Sequence, residues 1–167
     1  IAFNYIFFAH LESSKKEFER AIEFFEKAFV LAKEVGSTIV LAYNNDLGNM
    51  YQSLYQLDKA LECYEEALKY SELTRHIVYV NIGYVYFLKY DLEQSQKYYS
   101  NSLKICEKIN EKRIRPGLLF NLIVISIELN KIAQAKQYLD QLEQLSKKTG
   151  FEWIDQQYRF ASILILK

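Results

Sequence analysis

The sequence predicts an all-α chain of stacked helix pairs, and three observations carry that prediction. Small residues recur as anchors at Ala21, Ala60, Ser95 and Ala135, spaced 39, 35 and 40 residues apart. Behind the anchors an apolar stripe keeps helical spacing, as in Ala21, Ile22, Phe25 and Ala28, or Ala135, Tyr138, Leu139 and Leu142. One proline and five glycines punctuate 167 residues, so the composition allows long helices with short connections. A period of this size marks a solenoid, because no helix pair can bury its stripe alone and neighbours must stack.

Taken in order, 2–12 is predicted as a first helix, apolar along Tyr5, Phe8 and Ala9. Ser14 and Glu17 have capping-box spacing, which starts the second helix at Ser14. Gly36 ends that helix as a left-handed cap. Ser37 or Thr38 caps a third helix to about Leu54, and 55–57 turn into a fourth, which carries Asp58 at its start and ends near Leu73. A turn at 74–76 begins the next pair. Asp91 with Gln94 caps the helix that follows, to about Asn110. Pro116 suits a first helical turn, where its missing N–H costs nothing. The fourth pair turns at Asn130 and ends at Gly150. A terminal helix, 151–166, places Trp153, Ile154, Tyr158 and Ala161 at helical spacing. Its apolar closing run predicts a continuation or a partner, including a homodimer through this helix. The array therefore spans 1–167, in units 2–36, 37–74, 75–112 and 115–150 plus the terminal helix. The chain does not begin with Met, which leads us to expect a fragment of a longer protein.

The best-formed contact is expected within 47–67. Leu47, Gly48 and Tyr51 precede Ala60, Tyr64 and Ala67. A glycine inside a helix costs about 1 kcal/mol, and the return is a closer partner helix. Ile82, Gly83, Tyr86 and Tyr99 repeat the pattern, with Ser95 and Ser102 as small substitutes. The first unit repeats mainly Ala21, Phe25 and Ala28. The fourth keeps Leu122 and Ala135 but has Ile123 in place of glycine and Leu142 in place of alanine, which predicts wider packing. In these residues the chain resembles the tetratricopeptide (TPR) repeat family. The resemblance implies a right-handed alpha-alpha superhelix, a TPR solenoid of four helix pairs plus a terminal helix. Periods longer than the usual ~34 residues are similar to those of bacterial peptide-sensing regulators of the Rap and PlcR type. That finer resemblance implies signalling or transcription regulation, and a peptide-pheromone receptor as one alternative.

Composition narrows the function. Hydrophobic residues make up 50% and aromatics 16%, enough for a packed core. Lys plus Arg (21) equals Asp plus Glu (21), which argues against a nucleic-acid surface and against long-range steering. The apolar opening lacks the flanks of a signal peptide, and no apolar run reaches the ~20 residues that span a bilayer. Cys63 and Cys106 have no metal-ligand spacing and read as small core residues, with a weak preference for a reducing, cytoplasmic setting.

No catalytic constellation emerges, and the chain is expected not to be an enzyme. His10 and His76 stand outside any metalloprotease or redox motif, and one Cys with one His in separate repeats is poor evidence for a nucleophile. Glu65 and Glu66 lie on a helix face expected to be solvated. No glycine loop cradles a phosphate, and no cofactor or metal is expected.

The resemblance implies that first helices line a concave groove binding a protein or peptide segment. Its candidate contacts are Asn45, Asn49, Gln52, Asn81, Tyr84, Phe87, Phe120 and Asn121, with Phe3, Phe7 and His10 added from the first unit. Asparagine offers both donor and acceptor to a peptide backbone, while the aromatics offer apolar pockets. The alternative for each Asn is a bond within the repeat, tying one helix to the next. In chaperone-binding members of the family, Asn49 and Asn81 match clamp asparagines. The clamp cations, however, are replaced by Asn45, Gly117 and Asn121, so a chaperone C-terminus is not the expected ligand. Self-association is the remaining alternative.

Overall fold

A computed structural model describes residues 1–34, 43–70 and 74–165. Among them are nine helices and no strand: α1 Ala2–Ser14, α2 Phe18–Glu34, α3 Asn44–Ser53, α4 Leu57–Tyr70, α5 Arg75–Leu88, α6 Leu92–Lys108, α7 Arg115–Glu128, α8 Ile132–Thr149 and α9 Glu152–Ile165. The chain divides into two compact units, Ile1–Val85 and Tyr86–Lys167, with the boundary inside α5.

In the first unit α1 packs on α2, α2 on α3, and α3 on α4. The expected anchors are its core: Ala21, Phe25, Ala28, Ala60, Tyr64 and Ala67 are all fully buried. Ile6 and Ala9 of α1 and Leu47 of α3 join Phe25 and Phe29 in one cluster. In the second unit α7 contacts α6, α8 and α9, and α8 packs on α9. Its core is more aliphatic, with Leu119, Leu122, Ile123, Ala135 and Leu142 out of water beside Ser95, Tyr99 and Ser102.

The helix pairs turn in one way. Lys16, Tyr55, Tyr90 and Asn130 all have positive φ, between 56° and 64°, although none is glycine. Each stands at the same distance ahead of its anchor, Ala21, Ala60, Ser95 or Ala135. The next amide closes the turn onto the carbonyl five residues back, as in Gln56 to Tyr51 at 2.8 Å and Asp91 to Tyr86 at 2.9 Å. This is the Schellman ending, which satisfies carbonyls left open by the helix. Asn110, between α6 and α7, ends its helix likewise.

The turn also corrects the start of α2. Lys16 adopts the left-handed conformation and the Glu17 amide bonds Glu12, so Ser14 belongs to α1 and donates its hydroxyl to the Leu11 carbonyl. No capping box forms, and α2 begins at Phe18. The Asp91 cap is present, with its carboxylate accepting the Gln94 amide at 3.1 Å. Pro116 occupies the first turn of α7, and Gly150 ends α8 at φ 66°. The expected caps at Gly36, Ser37 and Thr38 lie outside the described residues.

Gly48 is where α3 and α4 meet. A Cβ there would stand 2.5 Å from Cε1 and 2.7 Å from Cδ1 of Tyr64. That ring cannot retreat, being fully buried with its hydroxyl held by two amides. Gly48→Ala gains about 1 kcal/mol of helix propensity and loses about 1–3 kcal/mol to overpacking. We expect net destabilisation in chemical denaturation, and a variant as stable as the parent would contradict this contact. Tyr55 is 67% exposed and pays for its left-handed conformation with little packing in return. Tyr55→Gly should therefore raise stability, by up to about 1 kcal/mol, and a lowered melting temperature would count against the strain.

Candidate functional site

The predicted contact residues of the first unit come together. Asn45, Asn49 and Gln52 recur at helical spacing along α3, and Asn81 and Tyr84 along α5. Asn81 Nδ2 donates to Asn45 Oδ1 at 2.8 Å and to Asn49 Oδ1 at 3.2 Å. The Tyr64 hydroxyl lies 2.8 Å from Asn49 Oδ1 and 3.0 Å from Gln52 Oε1. Its single proton serves one of these at a time. Structural bonds of the kind weighed for Asn81 thus exist: Asn81 ties its repeat to Asn45 and Asn49 of the preceding one, while Tyr64 and Asn49 bond within a repeat, so that α4, α3 and α5 are linked.

These bonds also set what the surface has to offer. Both hydrogens of Asn81 Nδ2 are engaged, and Asn49 Oδ1 accepts from Asn81 and shares the Tyr64 proton with Gln52. Asn81 Oδ1 and Asn49 Nδ2, an acceptor and a donor on adjacent helices, have no partner among the described residues. All four amide side chains are half-buried, and Tyr84 is 42% exposed.

The other candidates fall elsewhere. Phe87, Phe120 and Asn121 belong to the second unit. Phe87 is 38% exposed, while the half-buried Phe120 ring sits 6.0 Å from the ring of Phe160 on α9. Phe3 and Phe7 are exposed on α1. His10 lies 3.6 Å from Asp46 and edge-on to Phe25 and Tyr43. Burial raises the Asp46 pKa, and His10 offsets part of that rise.

Neither thiol is set up as a nucleophile. Burial pushes Cys63 up to about 12, helped by the carboxylates of Glu62, Glu26 and Glu66. Burial also raises Cys106, which is fully enclosed. A thiol needs a lowered pKa to attack. Tyr51 is raised to about 12, chiefly by desolvation and then by its hydrogen bond to Glu26.

A polar tie in the second unit was not read from the sequence. Buried Gln96 on α6 donates to Ser126 of α7 at 3.1 Å and to Gln134 of α8 at 3.3 Å, and accepts from Lys131 at 2.8 Å. The only signal was a glutamine directly after the Ser95 anchor, on the side of the helix that stacking covers.

The comparisons with known proteins agree with this geometry. A family model described as tetratricopeptide repeat matches residues 40–73, and a second model of the same description matches 4–34 and 77–109. Together these segments make up more than half of the chain. No curated protein matches the sequence. Among solved structures the chain is similar to apo RapI, at a TM-score of 0.86 and 14% identity over 99% of this chain and 48% of that one. It is also similar to aspartyl phosphate phosphatase F from Bacillus subtilis, at 0.84 and 19% over 99% and 45%. YrrB, a TPR protein with an unusual peptide-binding site, matches at 0.66 and 21% over 90% and 70%. At such identities the likeness is one of fold. The chain spans less than half the length of the first two, and less than two thirds of two further similar structures. Anchors, hairpin turns, matched segments and fold agree, and the chain belongs to the tetratricopeptide repeat family.

Proposed function

We propose that this chain is a non-catalytic scaffold that binds an extended or short helical peptide segment. In the first unit the contact surface is Asn45, Asn49, Gln52, Asn81 and Tyr84. The observation that supports it best is the amide pair left over from the α3–α5 tie. Asn81 Oδ1 and Asn49 Nδ2 offer one acceptor and one donor, the complement of a peptide group, and the bonds to Tyr64 and Asn45 hold both rigid. Preorganised amides lose little freedom on binding. Tyr84 follows Asn81 by one helical turn and supplies apolar contact. Phe87, Phe120 and Asn121 are further candidate contacts, carried by the second unit. The description of YrrB as a peptide-binding TPR protein fits this reading. In the same reading the chain is the sensory or interaction segment of a larger cytoplasmic bacterial regulator, for which RapI provides the fold analogy.

A displayed peptide library selected against the chain supplies the probe, and calorimetry reads its affinity. Asn81→Ala should weaken the selected peptide by about 0.5–1.5 kcal/mol, and Tyr84→Ala by about 2 kcal/mol. Neutral contacts predict little change with salt. If both variants bind like the parent while Glu65→Ala or Lys69→Ala abolishes binding, the surface is misassigned.

A second reading is self-association through α9, favoured by Trp153, Phe160 and Ile163, which are 45%, 55% and 54% exposed on that helix. Sedimentation across a concentration range should then show dimer. A strict monomer would remove this reading.

A further inference from the structure

Two cavities open in the second unit beside Arg115, the first residue of α7. One holds about 270 Å³ and is lined by Lys112, Arg115, Leu145, Lys148 and Phe151, among others. The other holds about 300 Å³ and adds Glu107, Gln141 and Gln144 to Arg115, Leu145 and Lys148. Arg115, Leu145 and Lys148 therefore line both. None of the residues assigned above to peptide binding lines either cavity.

Arg115 is poorly matched by its own protein. Its side chain is only 22% exposed, and its nearest anion, Glu107 Oε1, stands 3.8 Å from Nη2, too far for a hydrogen bond. Arg115 Nε is buried with no hydrogen-bond partner among the described residues, as is Gln141 Oε1. Lys112 and Lys148 make no ion pair among the described residues. The neighbouring Glu111 carboxylate is already engaged, accepting the Arg113 and Ile114 amides at 3.0 and 2.9 Å. Across the two cavities three cations thus stand with one carboxylate, Glu107, which is paired with Arg115 only at 3.8 Å, and the Arg115 guanidinium is largely withdrawn from water with its Nε short of an acceptor.

The lining selects among anions. A guanidinium fork matches the two oxygens of a carboxylate. The Glu107 charge disfavours a doubly charged head such as phosphate. Leu145 and Phe151 add an apolar wall. We propose that these cavities bind a carboxylate carrying an apolar group, with the carboxylate at Arg115 and Lys148 and the apolar group against Leu145 and Phe151. The same chemistry occurs in a free organic acid and in the last residue of a peptide.

Amide NMR titrations of the whole chain separate these sources. The probes are N-acetyl-leucine, a short alanine peptide ending in leucine as free acid, the same peptide amidated, and inorganic phosphate. The acids should give saturable shifts at Lys148, Gly150 and Phe151, and the amidated peptide should bind about tenfold more weakly or worse. Tighter binding of N-acetyl-leucine points to a free acid, and tighter binding of the peptide acid to a chain end. Lys148→Gln, at an exposed position, should weaken the acids several-fold, and Glu107→Gln should tighten them. A purely structural Arg115–Glu107 pair would not produce that gain. Acid and amide binding alike, phosphate binding more tightly than either acid, no saturable shift at millimolar acid, or weaker binding by Glu107→Gln would each overturn the proposal.

Discussion

The first unit depends on a tyrosine ring lying against bare backbone. Because Gly48 has no side chain, the Tyr64 ring reaches α3 and is sealed from water. The depth of the ring fixes where its hydroxyl ends, and the hydroxyl fixes Asn49 and Gln52. Asn49 in turn receives Asn81 from α5. One missing Cβ thus bears on amides of its own helix and, through Asn49, on Asn81 of α5. Apolar packing and polar surface are consecutive links in one chain of contacts, and burial alone would not have placed the amides.

The second unit reaches a similar end with other residues. Ile123 stands where Gly48 stands in the earlier pattern, Leu142 replaces a small residue, and both are fully enclosed. Here aliphatic side chains fill the space, and the linking role passes to Gln96, which joins α6 to α7 and α8. Burying an amide this way is tolerable because its oxygen and nitrogen both have partners. Within this chain the stacking of helices is kept while the residue that links them changes from one unit to the other. This is why membership fixes the fold and leaves each surface to be argued from its own residues.

Most of the fold was legible in the sequence because anchors and stripes report burial directly. Ala21, Ala60, Ser95 and Ala135 are all at zero exposure. The turns were less legible. Of the four hairpin residues with positive φ, only Asn130 is of a type that favours it, and Lys16, Tyr55 and Tyr90 carry no such signal. The false capping box at Ser14 has the same origin, since a local pair of side chains lost to a helix ending that was already satisfied by backbone bonds. For the candidate site, spacing brought Asn45, Asn49 and Gln52 to one face of α3. It could not tell which amide atoms the protein would use itself. Arg115 was visible as a charge, but its lack of acceptors depends on how α6, α7 and α8 come together.

The shared hairpin ending bears on how such a chain changes over generations. The stretch from each left-handed residue to its anchor is constant, while the anchors themselves are 39, 35 and 40 residues apart. Length variation is thus confined to the rest of each repeat, outside the turn. A helix pair with its turn behaves as a cassette with one standardised joint. Duplication or exchange that keeps this joint leaves the register of the buried stripe intact, whereas one residue gained inside it would rotate the second helix by about 100° and turn its stripe from the core.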